Sequence, residues 1–207
     1  MNNSVNHAVY RFYAPVYDWL FGPLMRKARR RSVELLALRA GERVLLPGIG
    51  TGLDLPYIPA GVRITGTDTS PEMLSIAREK ARDGLELALM DAQCLQYPDS
   101  SFDAVLANLI LSVAPDGKKV CKEAWRVLRP GGRLVIFDKF LPERSRMSSF
   151  RRALGWVVSR LGTDPNRRLS EILSGLTFVQ CVANEPSLLH GQYRIVLLVK
   201  QPDQTVS

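Results

Sequence analysis

Between Arg43 and Asp138, short apolar runs alternate with stretches of helical pattern, and no other feature of the sequence narrows the fold so far. Strands are expected at 43–46, 63–67, 85–89, 102–107 and 133–137, runs rich in Val, Ile, Leu and Phe. Helices are expected near 53–58, 71–82 and 117–128. Ser70-Pro71-Glu72-Met73 reads as a helix start, with a serine cap and proline in the first turn. Arg129-Pro130-Gly131-Gly132 reads as a helix stop followed by a tight turn. Strand and helix alternating at this spacing imply an α/β fold, a parallel sheet with helices on both faces. Two later runs, 176–182 and 193–200, are expected as further strands joined by a loop, an antiparallel end to the sheet. No internal repeat, low-complexity tract or Pro/Ser-rich linker divides the 207 residues, so one compact unit is expected.

The first strand runs directly into three alternate glycines, Val44-Leu45-Leu46-Pro47-Gly48-Ile49-Gly50-Thr51-Gly52. A turn without side chains lets a ligand approach the backbone, which favours a nucleotide-like ligand. Glycine turns after strands also arise for steric reasons alone, so context has to decide. Asp68 closes the second strand, where a carboxylate can accept hydrogen bonds from ribose hydroxyls. A second acid, Asp91 in Met90-Asp91-Ala92, follows the third strand, and no third glycine stands at the pyrophosphate spacing. One acid for ribose and one for an adenine amino group suit a nucleoside ligand without phosphate. S-adenosylmethionine (SAM) is such a ligand.

Residues 44–139 resemble the class I SAM-dependent methyltransferases. The resemblance is carried by Pro-Gly-Ile-Gly-Thr-Gly, Gly-Thr-Asp-Thr-Ser-Pro-Glu-Met-Leu, Met-Asp-Ala, Ser-Phe-Asp-Ala-Val-Leu-Ala-Asn and Val-Leu-Arg-Pro-Gly-Gly-Arg-Leu, in that order. It implies a Rossmann-like doubly wound seven-stranded sheet with a parallel core and an antiparallel C-terminal strand. It also implies one methyltransferase domain over 1–207. Its parts would be a basic N-terminal helical lid at 1–39, a SAM-binding core at 40–138, a basic helical insertion at 139–175 and C-terminal strands at 176–207. By the same resemblance Gly48, Gly50, Thr51 and Gly52 would pass under the methionine and ribose, and Asp68 would bind the ribose. Thr69 and Met73 would flank the adenine, Asp91 and Ala92 would meet its polar edge, and Asn108 would face the methionine end or the acceptor. Met73 as a core helix residue and Asn108 as a loop cap are the structural alternatives. One position departs from the family. Leu46 stands where an Asp or Glu usually helps hold the cofactor's amino group, so another group, Asp54 for instance, would have to supply that contact.

The formal charge of +8 is concentrated. Residues 1–39 carry seven Lys/Arg against two Asp/Glu, residues 139–168 carry eight against two, and the remainder is slightly acidic. The run Arg26-Lys27-Ala28-Arg29-Arg30-Arg31 on a helix would surround much of its circumference with cations, suiting an anionic surface or a merely solvated face. In 150–161, Phe150, Ala153, Leu154, Val157, Val158 and Leu161 recur at helical spacing beside Trp156. That stripe would lie on a membrane or pack against the domain. The longest uncharged apolar stretch, 104–114, is about half of the roughly 20 residues a membrane span needs, and the N-terminus lacks a signal-peptide core. A cytoplasmic protein, peripheral at the inner membrane face if membrane-bound, is therefore expected. Cys94, Cys121 and Cys181 have no metal or redox spacing and are expected to be reduced, mostly buried thiols. No metal is expected.

Methyl transfer from a sulfonium is an in-line displacement that alignment and exclusion of water can accelerate without a dedicated acid–base pair. His7 and His190 lie outside the core motifs and are expected as surface or loop residues. Tyr10-Arg11-Phe12-Tyr13-Ala14-Pro15-Val16-Tyr17, taken with Gly50-Thr51-Gly52-Leu53-Asp54-Leu55-Pro56-Tyr57, is similar to bacterial phosphatidylethanolamine N-methyltransferases. That similarity makes Tyr10 and Tyr17 the candidate catalytic residues, as aromatic faces for a sulfonium or methylated ammonium, or else as packing for an N-terminal helix. The expected acceptor is a lipid head-group amine. Quinone-type C-methylation and a small soluble acceptor are the alternatives, with a non-catalytic SAM-binding protein as the reading from another class. Asn108-Leu109-Ile110-Leu111 lacks the Pro-Pro-aromatic signature of base-amino methylation, and no RNA-binding module is visible, so no nucleic-acid partner is expected.

Overall fold

The structure is a computed structural model that describes residues 25–80, 82–141 and 167–202. Seven strands form one sheet in the order β3-β2-β1-β4-β5-β7-β6. They are β1 Arg43–Pro47, β2 Arg63–Asp68, β3 Leu85–Leu89, β4 Phe102–Asn108, β5 Leu128–Lys139, β6 Val179–Pro186 and β7 Tyr193–Lys200. The first five run parallel, and β7 is antiparallel to both β5 and β6. This is the Rossmann-like doubly wound sheet the sequence implied.

The helices are α1 over 25–36, α2 Pro71–Glu79, α3 Gly117–Val127 and α4 Leu169–Leu173. On α1, Met25, Ala28, Ser32 and Leu36 are buried at three- and four-residue spacing, a stripe that has to face a partner. It faces the sheet side carrying Val44, Leu46, Ala104, Leu106, Val135 and Phe137, where α2 adds Leu74. The intervening residues Leu45, Val105, Ala107, Leu134 and Ile136 point to the other side, covered by α3 and α4. Strand residues alternate faces, so a parallel strand covered on both sides is apolar throughout.

Local chemistry sets several boundaries. Ser70 accepts from Met73 N at 3.2 Å and caps α2, with proline following it, as the motif implied. The helix expected near 53–58 is only a 3₁₀ turn, Leu55–Tyr57. Asp54 sits at its cap position, but its carboxylate makes no cap bond and faces Arg29 and Asn108 instead. The carbonyls of Leu55, Ile58 and Pro59 are taken by the Arg82 guanidinium, which ties this turn to the segment after α2.

Two expectations are corrected at the sheet's far side. Arg129 to Gly132 is not a turn ahead of β5 but an excursion within it. Leu128 pairs with Phe102 and Arg133 with Ala104, which leaves four residues of β5 opposite one of β4. The strand expected at 176–182 begins at Val179 and runs to Pro186. Its register is set by pairing with β7 after the chain turns at Phe178, whose φ is 56°.

The cationic run of α1 is less uniform than its sequence. Arg29 is bonded to Asp54 at 2.8 Å, Arg30 to Glu34 at 2.9 Å and Arg31 to Glu185 at 2.7 Å, while Arg26 and Lys27 are exposed. The 150–161 stripe, with Trp156, lies outside the described residues.

The expectation of mostly buried thiols fails for two of three. Cys94 and Cys181 are exposed, because one follows the sheet-edge strand β3 and the other lies on the edge strand β6. Cys121 is sealed under α3, and burial pushes its thiol up to about 12. A thiol-reactive chromophore will therefore titrate two cysteines in the native protein and the third only on denaturation; labelling of Cys121 at native rates would contradict this packing.

Candidate functional site

The carboxyl ends of β3, β2, β1 and β4 lie side by side, and the chain's direction of winding reverses between β1 and β4. In open parallel sheets such a reversal leaves a crevice beyond the strand ends. At neighbouring strand spacings of about 4.8 Å, the row from β3 to β4 spans about 14 Å.

The glycine turn occupies the middle of this row. Gly48, Gly50 and Gly52 have φ of 66°, 56° and 77°, the left-handed region that side chains resist. Their surroundings differ. A Cβ on Gly48 would run into the Ile110 side chain along its length, and one on Gly52 would lie 2.8 Å from Leu55 Cδ1, so a side chain at either would force a neighbour to shift. A Cβ on Gly50 would meet no atom of the described residues within 4 Å, so among them its missing side chain leaves space above the turn. The carbonyl of Thr51 accepts from Lys80 Nζ at 2.6 Å, which anchors the turn to the end of α2.

Asp68 braces the turn from β2. One carboxylate oxygen accepts from Gly50 N at 2.9 Å and the other from Ser70 N at 3.0 Å, which fixes the orientation of the carboxylate at the end of β2. Thr69 is exposed beside it. Met73 is half-buried and belongs to neither core cluster, whereas its neighbour Leu74 is in the core. At the end of β3, Asp91 is exposed and accepts from Gln93 N at 2.8 Å, and Ala92 is buried. On the other side of the turn, Asn108 ends β4 and is 7% exposed, bonded to Ser32 and Asp54. Leu109 follows with φ 59°, strained backbone at the crevice. The structure thus brings the ten cofactor candidates to one end of the sheet. Tyr10, Tyr17 and His7 lie outside the described residues, and His190 is in the 3₁₀ turn Leu189–Gly191 between β6 and β7.

Sequence reasoning missed three contributors. Arg29 and Ser32 reach the site from α1, which no motif connects to β4. Asp138, at the end of β5, is fully buried and accepts from Ser112 N at 3.0 Å and Lys139 N at 2.8 Å, so it holds the segment after β4 in place. An apolar strand closed by an acid was the available signal.

The donor set suits a nucleoside carrying an uncharged or cationic tail. Asp68 can receive hydroxyl donors, Gly50 leaves room for a sugar, and the turn leads into three residues of 3₁₀ helix rather than an α-helix whose N-terminus could hold phosphate. Fold and crevice together describe an α/β nucleoside-cofactor enzyme of the methyltransferase type.

Comparison with known proteins makes this specific. Residues 45–136 match the family model described as a methyltransferase domain. The chain is 38% identical over 172 residues to a phosphatidylethanolamine N-methyltransferase of Cereibacter sphaeroides, covering 75% of this chain and 84% of that one. It is 41% identical over 136 residues to a demethylmenaquinone methyltransferase of Thermus thermophilus, covering 60% and 61%. A crystal structure of a SAM-dependent methyltransferase from Thermotoga maritima shares the fold with a TM-score of 0.64 at 23% identity, over 94% of this chain and 99% of that one. The chain belongs to the class I SAM-dependent methyltransferases. S-adenosylmethionine is its cofactor, and it supplies an electrophilic methyl group on a sulfonium.

Two measurements check this geometry. Gly50→Ala should cost only the left-handed backbone, about 1–2 kcal/mol of stability, yet weaken SAM binding. Gly48→Ala should lose about 1–3 kcal/mol more by displacing Ile110. Denaturant melts beside calorimetric titration separate the two, and equal effects of both substitutions on stability would refute the assignment. Burial raises the Asp138 pKa above 3.8, partly offset by its bonds to Ser112 and Lys139. The folded state then holds this proton more tightly than the unfolded chain. The stability of wild type relative to Asp138→Asn should accordingly fall as pH rises from about 3.8, and a difference that grows with pH would contradict it.

Proposed function

We propose that the enzyme methylates the amine of a phosphatidylethanolamine-like head group at a membrane surface. What carries the reading is the 38% identity to the Cereibacter phosphatidylethanolamine N-methyltransferase over 75% of this chain. The exposed Arg26 and Lys27 of α1 supply cations for lipid phosphate, and the basic segment at 139–168 adds more. No helix among the described residues is long and apolar enough to cross a membrane, so contact in this reading is peripheral. Localisation at the inner face of the cytoplasmic membrane follows from the same proposal.

The chain's part in the reaction is positioning. Asp68 and the Gly48–Gly52 turn would hold the ribose, Thr69, Met73, Asp91 and Ala92 the adenine, and Asn108 the far end of the cofactor. Tyr10 and Tyr17 would present their rings to the cationic centre and a hydroxyl to the amine's departing proton. Displacement in line then needs the two reactants aligned and water excluded.

Quinone C-methylation is the second reading, favoured by the 41% identity to the Thermus demethylmenaquinone methyltransferase. Incubation with methyl-labelled SAM and total lipid extract distinguishes them. Label in mono- and dimethylated phosphatidylethanolamine is expected. Label confined to quinone would replace the first reading with the second, and label in neither fraction would point to a soluble acceptor or a protein that binds SAM without transfer.

A further inference from the structure

Beneath the end of β4 lies a buried polar cluster that joins the motif residue Asn108 to the segment after the glycine turn and to α1. Arg29 donates to Asp54 Oδ2 at 2.8 Å, and Asn108 Nδ2 donates to Asp54 Oδ1 and to Ser32 Oγ, both at 2.9 Å. Ser32 Oγ passes its own proton to the Arg29 carbonyl at 2.7 Å. The Arg29 and Asp54 side chains are 14% and 7% exposed. With both Nδ2 protons committed to acceptors, the Asn108 amide cannot be reversed without setting its oxygen against a carboxylate. Among the described residues, two atoms of this closed cluster have no hydrogen-bond partner, Asn108 Oδ1 and Arg29 Nε. One is an acceptor, the other a donor. Buried polar atoms left in this state are costly, and in native sites they call for a ligand, an ion or an ordered water.

The strand order says which ligand group reaches them. Asp91, Asp68, the glycine turn and Asn108 stand on β3, β2, β1 and β4 in sequence across the sheet. An adenosyl group laid over the first three brings its tail to the fourth. That tail is a neutral zwitterion, an ammonium beside a carboxylate. The cluster is its electrostatic complement, a neutral pair with a carboxylate at one end and a guanidinium at the other. Leu46, on the same sheet face, is 2% exposed and has no polar atom on its side chain.

We propose that Arg29, Asp54 and Asn108 together receive the amino-acid end of SAM. Asn108 Oδ1 accepts from the ammonium beside the Asp54 carboxylate, and Arg29 Nε donates to the ligand carboxylate. The polar function missing at Leu46 is thereby supplied from α1, the segment after the turn and the end of β4. This concerns the donor and holds whichever acceptor is methylated.

Calorimetric titration of the intact protein tests it without turnover. The probes are S-adenosylhomocysteine, its analogues lacking only the amine or only the carboxylate, and methylthioadenosine, which has no amino-acid end. In wild type, removal of either group should weaken binding by about 10-fold or more, the scale of a hydrogen bond to a charged group. Asn108→Ala should reduce S-adenosylhomocysteine to the affinity of the amine-free analogue while leaving methylthioadenosine within about twofold. Arg29→Gln should do the same for the carboxylate. If wild type binds the amine-free and carboxylate-free analogues as tightly as the parent, an ordered water serves the two atoms and the proposal is overturned. Equal weakening of S-adenosylhomocysteine and methylthioadenosine by Asn108→Ala would also overturn it, as a purely structural effect. Wild type binding none of these compounds would instead overturn the cofactor assignment itself. The wild-type analogue series can overturn the proposal even where a substitution disrupts folding.

Discussion

Five parallel strands, the central ones buried on both faces, cannot be joined by tight turns, and that constraint organises this molecule. Each connection has to cross a face, so the helices divide between the two sides, α1 and α2 on one and α3 and α4 on the other. Reversal of winding between β1 and β4 then places the ends of four strands around one crevice. Asp68 on β2 and Asn108 on β4 sit at such ends, with the glycine turn after β1, and Asp138 stands near the end of the neighbouring β5. The fold makes a row of polar positions above an apolar sheet, and the chemistry follows from what fills the row.

The polar positions have different tasks. Asp138 is satisfied within the protein, holding the segment after β4 by its backbone. Asp68 is held by two backbone N–H groups at the end of β2, beside the glycine turn. Asn108 is left with an unpaired oxygen inside a cluster whose other members balance one another's charge. This gradation from structural to receptive is what a binding site built on a rigid sheet needs. Groups that orient the backbone are closed, and groups that meet the ligand keep unused valence.

Much of this was legible before any coordinates. Short apolar runs set among glycine and proline punctuation marked the five core strands to within a residue or two, apart from the early start of β5. Ser70-Pro71 marked the start of α2 because capping is a local event. The misplaced elements share a cause. The excursion at Arg129 to Gly132 and the start of β6 at Val179 are set by pairing with distant strands, and at the shortened helix after the turn Asp54 holds the cap position but gives its carboxylate to a partner 25 residues away. Thiol exposure failed similarly, since Cys94 and Cys181 are exposed through their strands' positions at the sheet edges.

By itself, the sequence determined the class of the fold, the glycine turn, the acid at the end of β2 and the nucleoside cofactor. These depend on residues adjacent along the chain, where spacing and side-chain type are enough. Only the tertiary structure decided that Arg29 lies inside the molecule rather than on a cationic surface, and that Asp54 and Asn108, 54 residues apart, share one hydrogen bond. The physical reason is that burial and charge pairing are properties of neighbours in space. A run of arginines reads the same in sequence whether each side chain meets water, a membrane or a buried carboxylate.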